Sequence, residues 1–408
     1  MIKIVCESSD GSNLKTYKGD QIKSIKIIQQ TNPIASSIPS SIADFVIQSE
    51  DDNGYIYEKG QVFRIYNNDI LISKTFVKKV KKISEKTWEF NTEDYISLLE
   101  KYDYIGGIFS GSLTEKMVID SIFRGTNIPY YLDGDFGEKV WGYIPYTNCR
   151  EALTQICFSC QAVVDTAKSE VIRIKKTGNN ESIINIPQNR ISRNLSLNYE
   201  YSKNSVTLYY HSYEESESQE EIIIYDTETT RENGQIFVKF EKPMYDLRVS
   251  HGGELIDYGS NYAIFHSTGV SKLYGKEYNH VVKSKTFPEV SSYDLSENAV
   301  ESKKIENATL ITYRNVDNVL SLCYNYLKKE ERANLEIVEG KEKSKNLYNS
   351  FLYGKRKYGY RYIDQVSINV GDKISFSSYL GEKIGVVEKQ TFNLYGGMIK
   401  KNTDLKII

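Results

Sequence analysis

Short apolar runs at a two-residue period dominate the first hundred positions. Ile22, Ile25, Ile27 and Ile28 form one such run, closed by a polar loop with Pro33 and Pro39. ADFVIQ, YIYEKGQVFRIYNNDILISKTFVKKV and KTWEFNTE follow. Alternation at period two puts successive side chains on opposite faces of a strand, so this region predicts a small antiparallel barrel or sandwich. Asn67, Asn68 and Asp69 supply the turn chemistry between two of these runs.

The period changes near residue 93. Residues 93–100 predict a short helix, followed by Gly106 and Gly107. Ser112 as N-cap with Glu115 three residues on predicts a second helix, with Leu113, Met117, Ile122 and Phe123 on one face. Gly125 and Pro129 end it. After the turn-rich DGDFGEK and the segment VWGYIPYTN comes CREALTQICFSC, where Cys149, Ala152, Leu153, Ile156, Cys157 and Cys160 recur at helical spacing. That stripe predicts a helix buried along one side, capped by Asn148 with Glu151 at its third position. Residues 162–175 predict two strands around a turn.

The stretch 195–310 is again strand-rich, with SVTLYY, EEIIIYD and QIFVKF as its clearest runs, and the acidic loop from Glu214 to Glu221 reads as a solvated hairpin tip between two of them. Beyond Asn315, Val316, Val319, Leu320, Cys323 and Leu327 mark one face of an amphipathic helix. LEIVEG, a basic tyrosine-rich excursion and a final set of strands complete the chain.

The fold class is therefore α+β, mainly β. The expected domains are an N-terminal β-barrel over 1–105, a small α/β domain over 106–180, a β-rich domain over 181–310, and a helix plus second β-barrel over 311–408. An internal echo ties the two ends together. GQVFRI at Gly60 and GDKISF at Gly371 each start a strand after a turn, and each is followed by a turn, a second strand and an apolar pair, Trp88 and Phe90 or Phe392 and Leu394. Two copies of one barrel would leave this trace; chance likeness between hairpins is the alternative.

At 408 residues the chain exceeds the roughly 250–300 at which single cores stop growing. With 52 Lys and Arg against 54 Asp and Glu, no global field draws it to nucleic acid or an anionic membrane. The first apolar run is broken at once by Glu7 and Asp10, and no window approaches the roughly 18 apolar residues of a membrane span. Five cysteines, an odd number with three of them within twelve residues, do not read as a secreted disulfide framework. The 33 tyrosines fit either a strand-rich fold or large interfaces.

Candidate chemistry is sparse. Cys157 and Cys160 stand in C-x-x-C spacing, yet they fall in the second half of the expected helix and no histidine precedes His211, so packing is favoured over zinc or redox work. His211, His251, His266 and His280 form no metal-binding spacing and read as surface or interface histidines. Asp133, Asp135 and Glu138 invite a calcium reading but lack the twelve-position loop, so a turn is expected. Gly106-Gly107 and Gly396-Gly397 lack phosphate-loop spacing. Lys355, Arg356, Lys357 and Arg361 interleave with Tyr353, Tyr358, Tyr360 and Tyr362, which suits a loop or subunit contact better than nucleic acid in a chain without excess positive charge. No catalytic, cofactor-binding or metal-ligating residue is assigned.

The order of elements resembles the central baseplate hub proteins of phage tails and tail-type bacteriocins. The resemblance rests on NTEDYISLLEKYDYIGGIF, SLTEKMVIDSIF, the aromatic-Gly-x-Ile-Pro of WGYIP, Arg150-Glu151-Ala152-Leu153, and the terminal VGDKISF and TFNLYGGM. It implies two tail-tube-like barrels per chain and a homotrimer whose pseudo-sixfold ring joins a sixfold tail tube to a threefold spike. The partners implied are further copies of the chain, a tail tube or tube-initiator protein, the spike, other baseplate proteins and the tape-measure protein. No membrane, cofactor or enzymatic activity is implied, and nucleic acid would only transit the lumen. The chain would be made in the bacterial cytoplasm and assembled into an extracellular particle, with a contractile tail favoured. Relatives in non-contractile tails carry a C-terminal peptidoglycan-cleaving domain, whereas this chain ends ten residues after Met398. A tail-associated cell-wall hydrolase and a receptor- or glycan-binding tail protein are the alternatives from other classes.

Overall fold

The computed structural model describes residues 2–8, 11, 13–32, 34, 37–49, 57–166, 170–177, 183–188, 191, 195–199, 205–230, 232–250, 252–288, 302–328, 331–338, 340–344, 359–363, 368–378, 381–395 and 398–408. Strands dominate, as the period-two runs require, and they gather around a single 13-stranded sheet. Its path runs Ser196–Tyr199, Glu331–Val338, Met398–Ile407, Gly381–Tyr395, Ile22–Gln30, Ile42–Gln48, Thr87–Glu93, Ile70–Ser84, Val62–Asn67, Ile2–Glu7 and Asn13–Lys18. Lys373–Ser378 and Ile183–Ile186 branch from Gly381–Tyr395. The two terminal β units are thus joined edge to edge, and among the described residues the hydrogen-bonded path does not close on itself.

Local chemistry sets the register. Asn68 and Asp69 both adopt left-handed backbone, with φ of 48° and 64°, and form the two-residue loop between Val62–Asn67 and Ile70–Ser84. Two successive positive φ values define the turn whose twist matches a hairpin, and Asn and Asp tolerate them best among non-glycine residues.

Each unit wraps its own core. Tyr17, Ile27, Phe45, Phe63 and Phe90 are fully buried in the first, with Phe45 and Phe90 stacked at 5.0 Å and Tyr57 edge-on to Phe90 at 4.7 Å. Leu335, Ile368, Ile374, Phe376, Val387 and Leu405 fill the second.

Between them lie the helices Tyr95–Leu99, Glu115–Phe123 and Cys149–Ser159 against the sheet of Tyr130–Asp133, Ile172–Lys176 and Ala162–Asp165. The buried stripe of Cys149–Ser159 is the one its spacing predicts, and Asn148 Oδ1 accepts from Glu151 N at 2.9 Å. The preceding helix starts later than expected. Ser112 lies in the strand Gly107–Thr114, and Thr114 is the N-cap, accepting from Met117 N. Strand pairing of Thr114 with Lys139 holds the backbone extended up to the cap. The buried face consequently comprises Val118, Ile119, Ile122 and Phe123, while Met117 is 50% exposed.

The β-rich region contributes three small sheets, centred on Ser205–Glu214, Lys272–Glu277 and Tyr262–Thr268. Ser205–Glu214 pairs with Asn279–Phe287 and Ser302–Ile305, whereas Ile222–Asp226 pairs with Lys272–Glu277. The acidic loop 214–221 therefore bridges two sheets and is not a hairpin tip. Tyr245 OH donates to Ser216 O at 2.6 Å, and Arg248 pairs with Glu221. The helix Val316–Lys328 packs Val319, Leu320 and Cys323 on Val206 and Leu208, as its face predicts. Among the described residues no helix is long and apolar enough to cross a membrane.

Candidate assembly interface

Two glycines anchor a repeat that extends well beyond the GQVFRI and GDKISF echo. Gly60 N donates to Val77 O at 2.8 Å and Val77 N donates to Gln61 O at 2.9 Å. Gly371 N donates to Val387 O at 2.7 Å and Val387 N donates to Asp372 O at 2.9 Å. The glycines have φ of 87° and 81°, a region L side chains avoid.

From these anchors the registers run in parallel. Val62 faces Phe76, and Lys373 faces Val386. The long strands then bulge one step past the anchored valine, between Val77 and Lys79 and between Val387 and Lys389. In the next strands Ala43 faces Thr92 and Phe45 faces Phe90, while Ala333 faces Leu405 and Leu335 faces Thr403. Ile27 faces Ala43, and Leu197 faces Ala333. The stretches 26–28/42–48/88–93/76–82 and 196–198/332–338/401–406/386–392 thus correspond in register.

Two cross-strand pairs persist with their partners exchanged. Asn91 Nδ2 donates to Asp44 Oδ1 at 3.0 Å, and at the matching position Asn334 Nδ2 donates to Asp404 Oδ1. Lys82 Nζ lies 5.1 Å from the Trp88 ring it faces, and Lys401 Nζ lies 5.4 Å from the facing Phe392 ring. Either strand can carry either member, because the stabilisation belongs to the pair. Trp88 accordingly corresponds to Lys401 and Phe392 to Lys82, so the apolar pairs after the two hairpins do not align as the sequence suggests.

The units meet in one antiparallel seam. Lys26 faces Asn393, Ile27 faces Phe392, Ile28 faces Thr391, Gln29 faces Gln390 and Gln30 faces Lys389. Phe392 crosses into the core of the first unit, and Gln29 Nε2 donates to Ile72 O at 2.8 Å. Backbone pairing supplies the attraction and Phe392 fixes the register, since a one-residue slip would move it to the other face.

The other candidate residues have structural occupations. All five thiols are buried. Burial, with a smaller push from the Asp103 carboxylate, raises Cys149 to about 11, and burial raises Cys323 to about 12. Cys157 and Cys160 are raised too, chiefly by burial. Buried thiols held protonated in this way are weak nucleophiles at neutral pH. Asp133 ends the strand Tyr130–Asp133 and accepts from Arg173 Nε at 2.9 Å, and Asp135 Oδ1 accepts from Gly137 N at 2.9 Å.

Sequence reasoning missed one cluster. His211 is buried rather than at the surface, its Nδ1 lies 3.0 Å from His280 Nε2, and Tyr213 stacks on His280 at 4.5 Å. The pair arises from strands 69 residues apart, so no local spacing announces it. His266 lies exposed on Tyr262–Thr268. His251, Gly396-Gly397 and the run Tyr353–Tyr358 with Lys355, Arg356 and Lys357 lie outside the described residues, as do the side chains of Tyr360, Arg361 and Tyr362.

A cleft of about 640 Å³ is lined by Glu115, Lys176, Asn318, Tyr326 and Glu388 among others. Two of its carboxylates are engaged: Lys176 Nζ binds Glu115 at 2.7 Å, and Glu388 takes Tyr326 OH and Arg332, while Glu138 lines the same cleft exposed. Burial nevertheless raises Glu115 above its ordinary range, with Lys176 opposing.

No protein-family model matches the sequence, and no curated protein matches it. Solved structures do. The tail protein from Neisseria meningitidis MC58 aligns over 99% of this chain and 96% of its own, with a TM-score of 0.56 at 10% identity. The 43 kDa tail protein of prophage MuSo2 from Shewanella oneidensis aligns over 99% and 98%, with a TM-score of 0.52 at 9% identity. Across its full length, the chain has the fold of these phage tail proteins.

Proposed function

We propose that the chain is the central structural hub of a phage-like, contractile tail baseplate, a homotrimer whose six β units form a pseudo-sixfold ring between tail tube and spike. The observation that carries this reading is the tandem repeat: two four-stranded units in one chain, matched in register and joined by a single seam. Two such units let a threefold assembly present six similar surfaces, which a symmetry adaptor needs. The likeness of the whole chain to tail proteins supports a tail role.

The partners under this reading are two further copies, the tube or its initiator, the spike, neighbouring baseplate proteins and the tape-measure protein, with nucleic acid only in transit. The role is mechanical rather than enzymatic, in a particle assembled from cytoplasmic components and released from the cell. The division into 1–105, 106–180, 181–310 and 311–408 is proposed with it, with Ile183–Ile186 and Ser196–Tyr199 serving the second β unit. Light scattering on the purified chain, alone and mixed with tube and spike proteins from the same gene neighbourhood, is the test. A mass of three chains supports the hub, and a monomer that ignores both partners refutes it.

A further inference from the structure

The cleft beside the helix Val316–Lys328 is part of a longer trough. A second cleft of about 320 Å³ shares Glu115, Glu138, Ser159, Asn315 and Asn318 with it, so the two run into each other along the helix. Val319, Leu320 and Cys323 turn one face of that helix into the core, while Asn318, Ser321 and Asn325 on the opposite face are exposed and line the trough. Positions 318 and 325 are two helical turns apart on one face, about 10.5 Å along the axis. The Asn318 amide has no hydrogen-bond partner among the described residues. Val386 and the exposed Ile408 supply an apolar wall from the second β unit.

Gln161 adds a further amide, from strained backbone. It follows the C-cap Cys160 of Cys149–Ser159 with φ of 57°, a left-handed position where glycine is the usual choice. Thr177 holds it there, its N and Oγ1 donating to Gln161 O at 2.9 and 2.6 Å. The half-buried side chain lines the trough. What glutamine adds to glycine at this position is an amide facing the cleft.

These features select a ligand class. A side-chain amide offers two donors and an acceptor to hydroxyls or amides. The carboxylates of Glu115, Glu138 and Glu388 disfavour an anion such as phosphate or nucleic acid, and Lys176 and Arg332 neutralise two of them, so the trough does not call for a cation either. Among the described residues no three His, Cys, Asp or Glu side chains converge on a metal. An uncharged, extended chain that is hydroxylated on its edges and apolar on its ring faces fits what remains.

We propose that the trough binds a β-1,4-linked glycan of acetamido sugars. Asn318, Asn325 and Gln161 pair with its hydroxyls and acetamides, and Val386 and Ile408 lie against a ring face. Consecutive sugars in such a chain are flipped, so the same edge returns at every second ring, a repeat close to the separation of Asn318 and Asn325. The cleft volume of about 640 Å³ falls among pockets that enclose ligands of a few rings. This binding goes beyond a structural tail role and does not depend on the number of copies in a ring.

Calorimetric titration of the full chain with chitotetraose tests the site, with saturation-transfer NMR reporting which sugar protons touch the protein. Binding at micromolar to millimolar concentration is expected. Cellotetraose, which keeps the repeat without the acetamides, is expected to bind at least tenfold more weakly, and the coiled α-1,4 chain of maltotetraose not at all. Asn318→Ala and Asn325→Ala, both at exposed positions, are each expected to weaken binding about threefold to tenfold, as the loss of one or two hydrogen bonds requires. Gln161→Gly separates binding from packing: its urea midpoint is expected to hold or rise as the backbone relaxes, while affinity falls by a similar factor. A residue with a structural role alone would not part the two.

Chitotetraose that gives neither heat nor saturation transfer at millimolar concentration overturns the proposal, as does binding left unchanged in all three variants. Purified tube or spike protein that binds, loses its binding in Asn318→Ala, and finds chitotetraose ignored would make the trough a protein dock and refute the glycan. The titrations with sugar use the chain alone, so their failure is distinct from a failure of the hub reading, which is decided by mass on mixing.

Discussion

Asp94 links three parts of the molecule, and its removal has a cost that follows from its partners. The side chain is 1% exposed. Oδ2 accepts from Ser41 N at 2.7 Å and from Thr166 Oγ1, and Oδ1 accepts from Ile96 N at 3.1 Å and Ser97 N at 3.4 Å. It thereby caps the helix Tyr95–Leu99 and ties it to the start of Ile42–Gln48 and to the residue after Ala162–Asp165. In Asp94→Ala the lost cap costs about 1–2 kcal/mol, and the buried Ser41 amide left unpaired costs about 1–3 kcal/mol. Thr166 keeps its contact with Ser41 Oγ at 3.3 Å, so it adds little. Burial raises the Asp94 pKa above its ordinary 3.8, which means the charged form is disfavoured and its deletion recovers part of the loss. A net loss of about 2–4 kcal/mol is expected. Asp94→Asn retains an acceptor for the cap but turns an amide NH2 toward Ser41 N, so about half that loss is expected. Urea unfolding followed by Trp88 in Thr87–Glu93 and Trp141 in Lys139–Ile144 measures both. A loss below about 1 kcal/mol for Asp94→Ala, or equal losses for the two variants, would refute the reasoning.

Three further outcomes are expected. Gly60→Ala meets open space and pays only for its φ of 87°, about 1 kcal/mol; Gly371→Ala has the same strain plus a Cβ 2.9 Å from Val163 Cγ2, adding about 1–3 kcal/mol. Urea midpoints in the reverse order would contradict the assignment of the two anchors. His211 is held below its ordinary pKa by burial and then by His280, and His280 by burial. Depressed histidine pKa values mean stability that is present above about 6.5 and lost as pH falls through the folded values, so the melting temperature drops in mild acid and His280→Gln reduces that slope; an unchanged slope counts against the pair. Arg150 donates through Nε at 3.1 Å and through Nη2 to Ile38 O, and pairs with Glu100. Arg150→Ala is expected to lose about 1.5–3 kcal/mol, and Arg150→Lys to recover little because one ammonium cannot make the forked contact; full rescue by lysine in the same unfolding assay would show that charge alone matters.

What local sequence can announce is whatever local chemistry decides. The Asn68-Asp69 turn, the buried stripe of Cys149–Ser159 and the face of Val316–Lys328 were all legible because each depends on residues within one turn or one helical repeat. Errors arose where a distant partner made the choice. Ser112 and Thr114 are both able caps, and the pairing of Thr114 with Lys139 selected between them. The loop 214–221 follows a strand whose partners lie some 65 and more residues away, so adjacency in sequence misassigned it.

The repeat shows the same limit most sharply. Only the two glycine-led strands resemble each other in sequence, because only there does backbone strain dictate residue type. Elsewhere the requirement falls on a facing pair, Lys with an aromatic ring or Asn with Asp, and exchanging the members preserves the interaction while erasing the likeness. An edge carries less signal still, since its hydrogen bonds come from backbone that every residue shares. The internal seam supplies what side chains do not: a backbone pairing between one strand of each unit, with its register set by the residues that face each other across it.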